Sequence, residues 1–143
     1  YSEDPQVYND AMARLKRKIN GARNHLPAPV VREEEQKELG VIFYGSMENT
    51  IVEIDDLLGE SGLSVSTCRV RALPLHSDVE DFVRRHDRTI VLEINRDGQL
   101  YGIIRKEFPV DLIHKIHSVA YSDGMPPRAR VYTEMILRVL EDN

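Results

Sequence analysis

Gly40-Val41-Ile42-Phe43-Tyr44-Gly45-Ser46-Met47, residues 40–47, is the stretch on which the fold turns. The unbroken apolar run from Val41 to Tyr44 predicts a strand covered on both faces, as in a parallel sheet, and Gly45 ends it. Ser46 stands where a helix N-cap belongs, and Met47, Ile51, Ile54 and Leu58 then recur at helical spacing until Gly59 and Gly62 close the segment. The alternation repeats toward the C-terminus. Residues 63–70 read as a second strand, and Pro74 punctuates a loop before Ser77 and Glu80, whose i, i+3 spacing is a capping box for a helix burying Val79, Phe82 and Val83. Residues 89–94 form a third strand, followed by the turn Asn95-Arg96-Asp97-Gly98 with Asp97 as cap for a helix carrying Leu100, Ile103 and Ile104. Residues 116–121 make a weaker fourth strand. Ser122-Asp123-Gly124 then turns the chain into a helix starting at Pro126-Pro127, with Val131, Met135, Ile136, Val139 and Leu140 on one face. Apolar strands alternating with amphipathic helices are the signature of βαβ units, so the expectation is an α/β domain, a three-layer α/β/α sandwich.

Working outward to the N-terminal side, Asp4 can cap free amides and Pro5 fits the first helical position. Tyr8, Met12, Leu15, Ile19 and Ala22 form an apolar stripe, while Arg14, Lys16, Arg17, Lys18 and Arg23 crowd the rest of the helix. A stripe of this kind predicts a helix docked against something, its basic face turned to water or to an acidic partner. Pro27 and Pro29 stop it, Val30 and Val31 are extended, and residues 32–38 fit a polar surface linker. Residues 1–38 are therefore read as an N-terminal helix and linker, and residues 39–143 as the α/β domain.

The chain has 143 residues, with 41% apolar and 30% charged side chains, the size and composition of one ordinary domain. Nineteen basic against 24 acidic residues give a formal charge of −5, which argues against nucleic acid or an anionic membrane as the main partner. No run approaches the ~20 apolar residues of a membrane span. Cys68, the one cysteine, excludes an intrachain disulfide and a cysteine-ligated iron–sulfur cluster held by this chain alone; a reducing cytoplasm is the expected home.

The common chemical fingerprints are missing: no Gly-x-Gly-x-x-Gly after a strand, no phosphate loop, no paired-cysteine metal site. Function is then expected in the loops at the carboxyl ends of the strands, where open α/β sheets place ligands. Two loops stand out. Gly45-Ser46-Met47-Glu48-Asn49 reads first as a turn with a capping serine, and alternatively as a helix start that holds an anion or an acidic partner. Asn95-Arg96-Asp97-Gly98-Gln99 divides between a plain turn and a loop contacting another subunit or domain, because Arg96 and Gln99 exceed what a turn requires. Gly45, Ser46, Asn49, Asn95, Arg96, Gly98 and Gln99 are the candidate contact residues, with no catalytic or metal residue among them. His114 and His117, three apart on or beside a strand, point to opposite faces and make a poor metal pair. Cys68 reads as a small core hydrophobe, Asp55 and Asp56 as solvated, and residues 33–35 as a solvated acidic loop.

In order and separation, these pieces resemble the carboxyl-terminal part of the alpha subunit of 2-oxoacid:ferredoxin oxidoreductases of the 2-oxoglutarate type. The resemblance rests on Ser2-Glu3-Asp4-Pro5-Gln6-Val7-Tyr8 with its basic helix, Tyr44-Gly45-Ser46, Arg71-Ala72-Leu73-Pro74-Leu75, residues 93–100, and Asp123-Gly124-Met125-Pro126. It implies a domain like the carboxyl-terminal domain of transketolase, with a mixed, mainly parallel five-stranded sheet whose first strand, residues 30–32, runs antiparallel. It also implies an enzyme that oxidatively decarboxylates a 2-oxoacid on thiamine diphosphate and magnesium, passes electrons through an iron–sulfur cluster to ferredoxin, and gives the acyl group to coenzyme A. In such an enzyme this part binds no cofactor alone. Its implied partners are the N-terminal pyrimidine-binding domain of the same subunit and the beta subunit, and an excised domain is expected to be inactive. Two other readings stay open: a free-standing regulatory α/β module binding a small anion after Gly45, and the matching domain of a transketolase or 2-oxoacid dehydrogenase beta subunit.

Overall fold

The computed structural model describes residues 3–142; Ser2, part of one resembling segment, lies outside the described residues. Helix α1 (Pro5–Ala22) opens the chain, and a short 3-10 turn leads to the edge strand β1 (Val30–Arg32). There follow β2 (Leu39–Tyr44), α2 (Glu48–Glu60), β3 (Val65–Val70), α3 (Ser77–Arg85), β4 (Arg88–Glu93), α4 (Gln99–Glu107), α5 (Val110–Ile113), β5 (Ile116–Ala120) and α6 (Ala129–Glu141). The sheet order is β1-β3-β2-β4-β5, with β1 antiparallel to β3 and every other pairing parallel. This is the expected three-layer sandwich with the expected antiparallel edge strand.

Side chains alternate across the sheet and divide the core in two. Val41, Phe43, Ile90, Leu92 and Val119 pack under α2 and α6 on one face. Ile42, Cys68, Val70 and Val91 pack under α3, α4 and α5 on the other. Cys68 on β3 is buried in that second face, and burial pushes its thiol up to about 12, so it stays a neutral core side chain as expected. Among the described residues no helix is long and apolar enough to cross a membrane.

Several expectations need correction. Helix α1 is capped by Asp4, whose carboxylate accepts the Gln6 amide, but it buries no residue; its stripe is exposed, and the predicted docking does not occur within this chain. Ser46 does not cap α2. Residues 45–47 form a 3-10 turn that moves the helix start to Glu48, with Met47 at the cap position and no side-chain acceptor. At α3 the cap is His76, whose Nδ1 accepts the Asp78 amide, so Ser77 lies inside the helix and Glu80 pairs with Arg84 instead. Helix α6 starts at Ala129, past Pro126-Pro127, and centres its buried face on Tyr132, Thr133 and Ile136 rather than on Val131. Asp55 is bonded to Arg32, and Glu33 bridges Lys37 and Arg85; both were expected to be merely solvated. The one-turn helix α5 has too few residues to leave a periodic signal.

Candidate functional site at the carboxyl edge of the sheet

The strand order reverses direction between β2 and β4: β2 connects to β3 on one side, while β4 connects to β5 on the other. Loops that leave a sheet at such a point diverge and open a crevice. Here a cleft of about 500 Å³ lies between them, with Tyr44 and Gly45 after β2, residues 70–73 after β3, and Gln99, Leu100 and Ile103 on α4. Its wall is mostly apolar. The polar groups on its lining are the Tyr44 hydroxyl, the Arg71 guanidinium and the Gln99 amide. Arg71 is committed in part, since its Nε donates to the Ala28 carbonyl at 2.8 Å and ties the segment before β1 to the rim.

The corner after β4 is built around Glu93, a buried carboxylate at the strand's last position. Glu93 Oε1 accepts the Leu100 amide at 2.7 Å and Oε2 accepts the Tyr101 amide at 3.0 Å, so the strand end caps the helix that follows it. Asn95 Nδ2 donates to the same Oε1 at 2.9 Å and to the Tyr44 hydroxyl at 3.1 Å, joining this corner to the end of β2. Asn95 Oδ1 in turn accepts the Asp97 and Gly98 amides at 3.0 and 2.8 Å, an Asx turn. Asp97, expected as the cap, therefore caps nothing, and Gly98 holds the N-cap position at φ 60°. A Cβ on Gly98 would stand 3.1 Å from Ser118 Oγ and 3.7 Å from Glu93 Oε2. Glycine is required there on two counts, left-handed backbone and close approach.

The candidate residues all fall on this one edge but play different parts. Gly45, at φ 63°, and Gln99 line the cleft. Asn95 and Gly98 are internal to the corner. Arg96 points to solvent with its side chain 86% exposed and, among the described residues, pairs only with its neighbour Asp97, at 2.7 Å. Ser46 and Asn49 are exposed and are not among the residues that line the cleft. Three contributors were missed: Tyr44, Arg71 and Glu93. The signal for Glu93 lay in the sequence, because an acid closing an otherwise apolar parallel strand has to find donors.

The closing segment forms a smaller lock beside this edge. Asp123 accepts the Met125 amide at 3.0 Å, the Tyr121 hydroxyl at 3.1 Å and Arg128 at 2.6 Å, and the Met125 bond foremost lowers its carboxyl below the usual range. Tyr132 donates to the Tyr121 carbonyl at 2.8 Å, and burial raises its phenol to about 12.

No protein-family model matches the chain, and no curated protein does. Solved structures are similar to it. A 2-oxoglutarate:ferredoxin oxidoreductase from Magnetococcus marinus, with 2-oxoglutarate, coenzyme A and succinyl-CoA bound, superposes with TM-score 0.78 at 21% identity over 96% of this chain. The chain spans 24% of that protein's length. A split-gene transketolase, an inactive tetramer, superposes with TM-score 0.56 at 15% identity over 78% of this chain and 41% of its own. The alpha chain of a probable 2-oxoacid ferredoxin oxidoreductase from Thermoplasma acidophilum does so with TM-score 0.51 at 15% identity, over 80% of this chain and 97% of its own. The fold is therefore the transketolase-like α/β fold that structures of 2-oxoacid:ferredoxin oxidoreductases contain, the one that the sequence resembles.

Proposed function

We propose that this chain is the C-terminal structural and interface domain of the alpha subunit of a thiamine-diphosphate-dependent 2-oxoacid:ferredoxin oxidoreductase. The complete enzyme would decarboxylate a 2-oxoacid oxidatively, reduce ferredoxin and form acyl-CoA in the cytoplasm. In this reading residues 39–143 pack against the N-terminal pyrimidine-binding domain of the same subunit and against the beta subunit. Residues 1–38 are the helix and linker that join them, and the chain alone is inactive.

The observation that carries this reading is how the carboxyl edge is occupied. A small anion would bind free amides at a helix start. At the two corners beside the cleft a carboxylate of the chain is already in place: Glu93 holds the amides of α4, and Glu48, paired with Arg69, stands in the uncapped first turn of α2. An incoming phosphate would meet negative charge at each, so the edge favours a neutral or basic protein surface over an anionic metabolite. The apolar cleft between the corners suits a side chain from such a surface.

When bound in the complete enzyme, thiamine diphosphate supplies carbanion stabilisation, and magnesium neutralises its diphosphate. The residues of this chain do not fit that pair. Glu93 already takes the start of α4, the described residues bring no three His, Cys, Asp or Glu side chains together, and the buried Cys68 thiol is held neutral. The role left to the chain is positional. Glu93 and Asn95 hold the β4 corner rigid, and Gly45, Gln99 and the exposed Arg96 present contacts from it.

Replacing Arg96 and Gln99 with Ala in the whole enzyme tests the reading. Both are exposed, so each change should cost the isolated chain under about 0.5 kcal/mol. Assembly with the beta subunit, followed by size-exclusion chromatography and turnover, should weaken; assembly and turnover equal to wild type would remove the loop from the interface. A thermal-shift screen of the isolated chain supplies the competing outcome, since stabilisation by a micromolar metabolite would favour the anion-binding module.

A further inference from the structure

Helix α1 is 18 residues long, about 27 Å, and has no buried side chain. Tyr8, Met12, Leu15 and Ile19 recur on one face at 60%, 42%, 47% and 53% exposure. An apolar stripe of this length on an otherwise polar helix is a contact surface with its partner missing. The flanks of the stripe carry Arg14, Lys16, Arg17 and Lys18 against the single acid Asp10.

The complementary surface lies on the opposite side of the same domain. Helix α2 has five acidic residues and no basic one. Its outer face presents Glu53, Asp56 and Glu60 at i, i+3 and i+7, beside Val52 at 66% exposure. Between α2 and the edge of the sheet a groove of about 230 Å³ is floored by Val30, Phe43, Ile51 and Val52. It is large enough to take one leucine or isoleucine side chain at a time. Glu48, which lines the groove, is paired with Arg69, and Asp55 further along α2 is paired with Arg32, whereas the outer three acids have no ion pair among the described residues.

We infer that α1 of one molecule seats on the α2 face of a second copy of this chain, each giving its helix to the other in a two-fold dimer. Three observations select this occupant. The helix leaves the domain on the α4 side, where Arg23 bonds Glu107 at 2.9 Å, whereas α2 covers the other face of the sheet, so the seat is turned away from its own helix. Two α1 helices cannot pair comfortably with each other, because each carries a net charge of three positive. Against α2 the same charge is matched, and a reciprocal exchange is the closed, self-complementary arrangement that stops at two. Two helix seats of this length bury on the order of the ~1,600 Å² that a standard stable interface needs. This inference is independent of the reading of the cleft, which lies at a different edge of the domain.

The test is sedimentation of the isolated chain across the micromolar range, at low and high salt. A dimer weakened about tenfold or more by salt is expected. Leu15→Glu with Ile19→Glu, and separately Val52→Arg, should each give a folded monomer by circular dichroism, since all three positions are exposed. Two singly substituted chains, Leu15→Cys and Val52→Cys, should then cross-link with each other when mixed. A monomer at every concentration overturns the inference. So does a dimer that survives Val52→Arg, or Leu15→Cys chains that cross-link only among themselves.

Discussion

The two ends of β4 each bury one ionisable side chain, and the protein treats them in opposite ways. At the carboxyl end Glu93 is surrounded by donors, and both of its oxygens are used. At the amino end His86 lies fully buried beneath Gly40 and against the Phe82 ring, whose centroid is 4.2 Å from its own. His86 Nδ1 donates to the Phe82 carbonyl at 2.7 Å in the tautomer that this contact requires, and Nε2 then has no partner among the described residues. One end is a completed polar network that shapes a loop. The other is a packing site that tolerates an orphaned acceptor, which is why the candidate surface sits at the first and not at the second.

The largest break in this comparison should come from Glu93→Ala. It strips an acceptor from three donors, two of them helix-start amides, and removes the side chain that caps α4. We expect a loss of about 3 kcal/mol in urea unfolding, with Glu93→Gln losing about half of that because one amide oxygen survives. A loss under about 1 kcal/mol for the alanine would mean that the corner is held by its backbone alone. At the other end Gly40→Ala is the matching probe: its Cβ would fall 2.6 Å from the Phe82 ring, which is itself fully buried. Overpacking of this kind should cost about 2 kcal/mol, measured in the same way.

Two glycines sharpen the contrast within the carboxyl edge. Gly98 and Gly45 have nearly the same left-handed backbone, at φ 60° and 63°, but a Cβ added at Gly98 would meet neighbours within 4 Å and one added at Gly45 would meet none. Ala at either should cost about 1 kcal/mol for the conformation, and Gly98→Ala should lose a further ~0.5–1 kcal/mol against Ser118 and Glu93. Equal losses at the two sites would show that the corner after β4 yields as easily as the turn after β2.

Acid probes the buried histidine at the amino end. Desolvation lowers the His86 pKa below the ordinary 6.5, and it does the same at His117 with help from Arg88. The unfolded chain therefore binds more protons than the folded one. The stabilising contribution is complete above about pH 6.5 and drains away as pH falls below it toward the lowered folded-state values. His86→Phe, which keeps a ring against Phe82, should flatten most of this slope in melts between pH 7 and 5. An unchanged slope would move its origin to other groups.

What could be read in the sequence follows from how far each contact reaches along the chain. The strands, the order of elements and the core faces of α2 and α3 were legible because Val41, Ile54 or Phe82 each declare burial by residue type and period. The caps were misread at α2, α3 and α4, since a one-residue shift moves the cap and no local signal forbids it: a 3-10 turn after Gly45 displaced Ser46, and His76 displaced Ser77. Glu93 escaped for a different reason. It bonds amides seven and eight residues ahead, a spacing that exists only once a strand has stopped beside a helix start. Helix α1 was legible as an amphipathic helix but not as an undocked one, because the pattern records that a partner is needed and not which polypeptide supplies it.

The smallest expected effect is the one that most directly tests the opposed design of the two strand-to-helix corners. If the turn after β2 were capped as the sequence implied, Ser46→Ala would leave a helix-start amide without its acceptor and cost about 1 kcal/mol. In the structure the Ser46 side chain caps nothing and the residue is exposed, while Met47 anchors the turn by burial. Ser46→Ala should therefore change the urea midpoint by no more than about 0.5 kcal/mol of stability. Met47→Ala, which empties a buried site in the core between α2 and the sheet, should cost about 2–4 kcal/mol. A cost near 1 kcal/mol for Ser46→Ala would mean that the serine does close the helix in solution. The β2 corner would then be as fully bonded as the β4 corner, and the contrast between the two would be lost.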